Sequence, residues 1–198
     1  YQLSRLFLDE NEIIWIERDN WDNVASLAEQ FKDSLNVPAF VLTEGASVAQ
    51  ALPGAKTLAT DIIRNEEELG LKFQHIFVDA GTGFSATALI DGLAEYNHQA
   101  HVYVLILANQ PQYLTPKATN YVRFYPQTAK AFGSLNQAIK QEMQRLAREE
   151  GLLTDPVYSA KLFYESRRYI ETNQLQGPVL IIHSGGLLTL TGFEFKPS

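Results

Sequence analysis

The stretch from Gln74 to Leu93, QHIFVDAGTGFSATALIDGL, limits the fold more than any other part of the chain. Ile76, Phe77 and Val78 form an apolar strand, Gly81-Thr82-Gly83 turns the backbone with little side-chain obstruction, and the small residues that follow suit a closely packed helix. Such a turn brings main-chain N–H groups and the positive end of a helix dipole to one point, which reads as a phosphate site. A glycine turn between strand and helix also occurs for purely structural reasons, and valine at Gly81 or Gly83 separates the two readings. It is expected to weaken anion binding while leaving a folded protein.

The flanking sequence alternates strands and helices. Glu12 to Glu17 reads as an apolar strand, with Asp19 or Asn20 capping an amphipathic helix that carries Trp21, Val24, Leu27, Ala28, Phe31 and Leu35. Ala39 to Thr43 reads as a second strand, so residues 12–43 are expected to be a β-α-β unit. Leu52 to Leu69 is helical and Gly70 stops it. His101 to Ala108 is a nearly continuous apolar strand, Pro111 to Pro116 a short helix or turn, and Tyr121 to Tyr125 an alternating strand. Ser134 and Gln137 fit a capping box ahead of a helix over Leu135 to Glu150. Asp155 caps the next helix, which runs towards Asn173, and Val179 to Ile182 is a last buried strand. This order predicts an open, mainly parallel α/β sheet with ligands beyond the carboxyl ends of its strands. The loops Gly81 to Ser85, Asp155 to Ser159 and His183 to Gly186 are expected to meet there. They bring amides, the Tyr158 phenol and the Ser159 and Ser184 hydroxyls, which suits a small anionic ligand.

Composition narrows the function classes. The 198 residues carry a net charge of −7, which argues against a polyanion such as nucleic acid as partner without excluding a local anion site. There is no cysteine, so disulfides and thiolate metal sites are excluded, and nothing points to export. Apolar runs such as Val102 to Ala108 are too short to span a bilayer, and a cytoplasmic, membrane-free protein is the expectation. His75, His98, His101 and His183 lack ligand spacing, so no metal is expected. By pattern alone Tyr158 would be a packing residue in the first turn of a helix.

The blocks EGAS, DAGTGFSATALIDGL, GLLTDPVYSAK and GPVLIIHSGG, in that order, resemble the carboxyl-terminal part of the pyridoxal-phosphate enzymes of the D-cysteine desulfhydrase and 1-aminocyclopropane-1-carboxylate deaminase family. The resemblance implies a fold type II, tryptophan-synthase-β-like architecture, three-layered, with the amino-terminal part missing. Residues 1–43 would be a remnant of the smaller domain and residues 44–198 an incomplete larger, cofactor-binding domain. Gly81, Thr82, Gly83, Phe84 and Ser85 would hold the phosphate of pyridoxal 5'-phosphate. Tyr158 would be the catalytic residue that handles substrate protons, and Ser159 would lie near the pyridine ring. Ser184, with Gly185 in the same block, would lie near the pyridine nitrogen, where a hydroxyl leaves that nitrogen largely unprotonated. The implied reaction is a deamination or desulfhydrase-type elimination on a small amino acid through an aldimine, releasing ammonia and a keto acid, in a homodimer.

The departures matter too. The family's Gly-Asn-Lys and Ser-Asn-His motifs are absent, and the resemblance places them ahead of Tyr1; none of Lys32, Lys56, Lys72, Lys117, Lys130, Lys140, Lys161 and Lys196 lies in the right context. Phe132, in Ala131-Phe132-Gly133, aligns with a second active-site tyrosine, and EGGSN is EGASV here. Loss of that phenol favours a second class of function, a catalytically silent relative that serves as a binding or assembly module. Retention of DPVYS and HSGG favours the enzyme.

Overall fold

The structure is a computed structural model that describes residues 4–193. The chain divides into two compact units, Tyr1–Ala46 and Ser47–Ser198. The first contains 3₁₀ turns over Ser4–Leu6, Glu10–Glu12 and Arg18–Asn23, and one helix, α1 (Val24–Ser34). The β-α-β unit expected over 12–43 is not seen: residues 13–17 and 35–43 contain no strand. An extended segment becomes a strand only when another runs alongside to take its N–H and C=O groups, and among the described residues none pairs with these. On the apolar face of α1, Val24 and Phe31 are exposed. Nor do Asp19 and Asn20 cap the helix; they lie inside the preceding 3₁₀ turn, from which α1 continues at Val24.

The second unit is a three-layer α/β body. Its elements are α2 (Leu52–Leu69), β1 (His75–Ala80), α3 (Phe84–Glu95), β2 (His101–Ile106), β3 (Tyr121–Phe124), α4 (Gln137–Glu149), α5 (Ser159–Asn173) and β4 (Val179–Ile181). All strand pairs are parallel, in the order β3-β2-β1-β4. Alternation along the strands sends Ile76, Val78, Val102 and Val104 into a core beneath α2 and α3, while Phe77, Tyr103, Leu105 and Phe124 face α5. Central β1 and β2 are buried almost throughout, but β4 is only half-buried because among the described residues it lies at the edge of the sheet, beside β1.

Close packing explains several small residues. A Cβ on Gly92 would lie 2.9 Å from Cβ of Ala59, so the α2–α3 contact requires glycine there. Gly70, at φ 65°, ends α2 as expected. At α4 the predicted capping box gives way to Asn136, whose side chain accepts from the N–H of Ile139 at 3.1 Å. Ser134 instead donates its hydroxyl to the Ala131 carbonyl at 2.6 Å. Pro111 to Pro116 is a turn, tied to α3 by the Thr87 hydroxyl, which donates to the Tyr113 carbonyl at 2.6 Å and accepts from the N–H of Thr115 at 3.0 Å.

Candidate functional site

The order β3-β2-β1-β4 places a topological switch point between β1 and β4, and beyond the carboxyl ends of these strands lies a cavity of about 320 Å³. It is lined by the glycine turn and the start of α3, namely Gly81, Thr82, Gly83, Ser85 and Ala86, and by Ile182, His183 and Ser184. Thr87 is the first residue of α3 to bond back into the helix, its N–H donating to the Gly83 carbonyl at 2.9 Å. The N–H groups before it have no acceptor within the helix and belong to the dipole's positive end. The Thr82 hydroxyl oxygen accepts from Ser47 Oγ at 3.3 Å, so the buried serine of the EGAS block steadies the turn.

The two glycines do different things. Gly83 has φ 88°, and a Cβ there would sit 2.7 Å from both the backbone nitrogen and Cβ of Leu114. Packing against the 111–115 turn therefore demands glycine at this position, whatever binds, and valine there does not leave an unperturbed fold. A Cβ on Gly81 would lie 3.3 Å from Cε1 and 3.7 Å from the hydroxyl of Tyr158. Close approach of the tyrosine ring is what glycine permits here.

Tyr158 itself is set by Asp155. The fully buried Asp155 carboxylate accepts from the N–H groups of Val157 and Tyr158 through Oδ2 (2.8 and 2.9 Å) and from the N–H of Ser159 through Oδ1 (2.8 Å). It thereby satisfies the start of α5 as the sequence predicts. Thr189 Oγ1 donates to the same carboxylate at 3.2 Å, and Gly186 passes so close that a Cβ would lie 2.9 Å from Oδ1. The three loops expected at the strand ends do converge.

Not every candidate reaches the cavity. Gly81, Thr82, Gly83, Ser85 and Ser184 line it, with Tyr158 packed on its Gly81 edge. Ser159 does not: it is fully buried, its hydroxyl donates to Asp155 Oδ1 at 2.7 Å and accepts from the Asp155 N–H at 2.8 Å, and so it completes the helix cap. The Phe84 ring turns away to meet Tyr113 edge-on, with centroids 6.4 Å apart. Gly185 gives its N–H to His183 Nδ1 at 3.1 Å and is absent from the lining. His183 is a structural histidine: with Nδ1 accepting, Nε2 carries the hydrogen and donates to the Leu153 carbonyl at 2.7 Å.

Asp79 is the site residue that the pattern reading missed. It lines the cavity at the end of β1 and accepts a 2.6 Å hydrogen bond from Ser184 Oγ. Burial raises its carboxyl above the ordinary value; the Ser184 hydrogen bond opposes this and the negative charge of Asp155 adds to it. The signal was present in HIFVDA, where an acid interrupts an apolar strand immediately before the turn.

The chain has sequence relatives and structural neighbours among known proteins. The chain is 28% identical over 155 residues to the 1-aminocyclopropane-1-carboxylate deaminase of Cyberlindnera saturnus, covering 69% of this chain and 46% of that protein. With the deaminase of the same name from Pseudomonas syringae pv. syringae it shares 25% identity over 166 residues, covering 72% and 48%. This chain is a sequence relative of the 1-aminocyclopropane-1-carboxylate deaminases. No family model matches it. Among solved structures, an ACC deaminase homologue superposes with a TM-score of 0.77 at 19% identity over 94% of this chain and 62% of that one. Escherichia coli diaminopropionate ammonia lyase superposes with a TM-score of 0.57 at 17% identity, over 87% and 51%. These neighbours establish the fold as that of type II pyridoxal-phosphate enzymes. The chain spans about half the length of the curated relatives it matches. Among the described residues no helix is long and apolar enough to cross a membrane, and no three His, Cys, Asp or Glu side chains group to hold a metal ion.

Proposed function

We propose that the full-length protein is a pyridoxal-phosphate-dependent deaminase or lyase acting on a small amino acid, with release of ammonia and a keto acid. The observation that carries this reading is the convergence of the glycine turn, the α3 amino terminus and Ser184 on one cavity, with Tyr158 against its edge. The residues suit that cofactor. The turn and the first N–H groups of α3 form an anion cradle, Leu58, Val78 and Ile182 give apolar surface for a flat ring, and Ser184 adds a hydroxyl to the lining. Gly81, Thr82, Gly83 and Ser85 would hold the phosphate, and Ser184, whose hydrogen goes to Asp79, would lie near the ring nitrogen. When bound, the cofactor supplies an electron-withdrawing ring that stabilises negative charge at the substrate carbon. The Tyr158 phenol, steadied by Asp155 and pressed on Gly81, would hold and return a substrate proton. A desulfhydrase-type elimination, action as a homodimer and a cytoplasmic setting belong to the same proposal.

One observation favours a second reading, a binding module without catalysis. Phe132 meets Tyr158 edge-on with centroids 5.7 Å apart, so the neighbour of the catalytic candidate is an inert ring. Incubation of the full-length protein with pyridoxal phosphate distinguishes the two. The enzyme reading expects a visible absorption band, covalent retention of the cofactor after borohydride, and ammonia release from a small amino acid. A cofactor that binds but stays removable after borohydride, with no ammonia released, supports the module instead.

A further inference from the structure

The segment between β3 and α4 runs past α5 and carries Phe132, and it is held by two charged side chains that are almost wholly buried. Glu165, 3% exposed, accepts through Oε1 from the N–H groups of Gln127 (2.7 Å) and Thr128 (3.0 Å). Lys161, 1% exposed and one turn earlier on α5, donates to the carbonyls of Ala129 (2.7 Å) and Ala131 (3.0 Å) and to Ser134 Oγ (3.4 Å). An ammonium has three donors, and all three are spent on this one segment. A buried lysine invites the reading of a nucleophilic amine, but here every N–H is committed to an oxygen.

Burying a charge is costly unless hydrogen bonds replace its water. Two such charges on adjacent turns of one helix, each directed at backbone groups of the same short segment, fix a shape that the segment does not favour by itself. Ala129 has φ 47°, left-handed geometry that alanine adopts only when its surroundings impose it. The Asn136 amide also bonds the Thr128 hydroxyl. At the end of the clamped stretch the Phe132 ring stands edge-on to Tyr158, which in turn lies over Gly81.

We propose that Lys161 and Glu165 are positioning residues: they clamp the 127–134 segment to α5 so that Phe132 holds the Tyr158 ring between itself and the Gly81 turn. The consequence for the site rests on the reading of Tyr158 given above, whereas the clamp is a matter of geometry and is tested without cofactor or substrate.

The test uses 4-fluorophenylalanine incorporated at position 132 of the full-length protein, read by ¹⁹F NMR, with Tyr158→Leu giving the resonance position without the tyrosine ring. Lys161→Met and Glu165→Ala are each expected to move the resonance towards that position. Glu165→Gln keeps an oxygen acceptor for Gln127 and Thr128 and is expected to hold the wild-type position. Hydrogen exchange on the unaltered protein provides a second arm that needs no variant to fold: the Gln127 and Thr128 amides are expected to be protected like those of α5. Wild-type resonance positions in both Lys161→Met and Glu165→Ala, or unprotected Gln127 and Thr128 amides, overturn the clamp. A protein that binds no pyridoxal phosphate yet shows the expected shifts overturns the functional reading alone.

Discussion

Ser184 Oγ lies 2.6 Å from Oδ1 of Asp79 and donates its hydrogen to it, across 105 positions of sequence. The bond ties the carboxyl end of β1 to the loop that leaves β4, and both residues line the switch-point cavity. The structure thus sets an acid beside the proposed phosphate cradle and raises its pKa.

That relationship predicts a pH dependence. Asp79 has a folded-state pKa above its ordinary 3.8, so its protonated form stabilises the fold, fully so below the unfolded value. This contribution is lost as pH rises from the ordinary carboxylate range through the raised folded value. Asp79→Asn is expected to remove the loss, so that urea unfolding shows the variant gaining on wild type across that window and holding a constant lead above it. Parallel stability profiles would contradict the assignment.

Glu66 and Glu142 predict the opposite slope. For Glu66, burial alone pushes the carboxyl up, but Lys72 (2.8 Å), the Phe73 N–H (2.7 Å) and His98 (2.9 Å) outweigh it and the net shift is downward. For Glu142, on α4, burial is likewise outweighed by Arg145 and by Arg167 of α5. Depressed carboxylates contribute stability above their unfolded values and lose it as pH falls through the folded ones. Glu66→Ala, which leaves the Phe73 amide without its acceptor, is expected to cost about 2 to 3 kcal/mol at neutral pH and less in acid. Chemical denaturation at the two pH values checks both the size and the sign.

The two glycines of the turn should separate on substitution. Gly83→Val meets the Leu114 backbone and a left-handed φ, and a loss of about 1 to 3 kcal/mol in unfolding free energy is expected. Gly81→Val meets only the Tyr158 ring edge, so stability should change little while affinity for inorganic phosphate falls. Equal losses of stability in both variants would mean that the turn is under one constraint rather than two.

Removing the helix clasp gives a further outcome. Asp155→Ala deprives three backbone N–H groups and the Ser159 hydroxyl of their acceptor, and a loss of about 2 to 4 kcal/mol is expected by thermal unfolding. Asp155→Asn retains one carbonyl oxygen and should lose less.

Much of the second unit could be read from its residues because local signals and the fold agree there. The run from His101 is apolar enough to demand a buried parallel strand, Gly70 stops α2, and the order of loops fixed where the cavity lies. The first unit misled the pattern reading because EIIWIE and AFVLT have strand composition, yet a strand exists only with a neighbour beside it, which composition does not reveal. Ser159 was misplaced for a related reason: one turn of helix turns its hydroxyl back onto Asp155, and spacing alone did not say which way it points. Asp79 was overlooked because its strand was judged by its apolar members. Nothing in the sequence marks Lys161 and Glu165, because their partners are backbone groups of the 127–134 segment.

The most direct measurement of the central claim compares binding of pyridoxal phosphate and of pyridoxal to the full-length protein by calorimetric titration. Both molecules carry the same ring and aldehyde, so their ratio isolates the phosphate. Two charge-assisted hydrogen bonds from the turn and α3 predict a preference of about a hundredfold or more for the phosphorylated form, and Gly81→Val should reduce it. Equal affinities, unchanged by that substitution, would remove the glycine turn from the cofactor site.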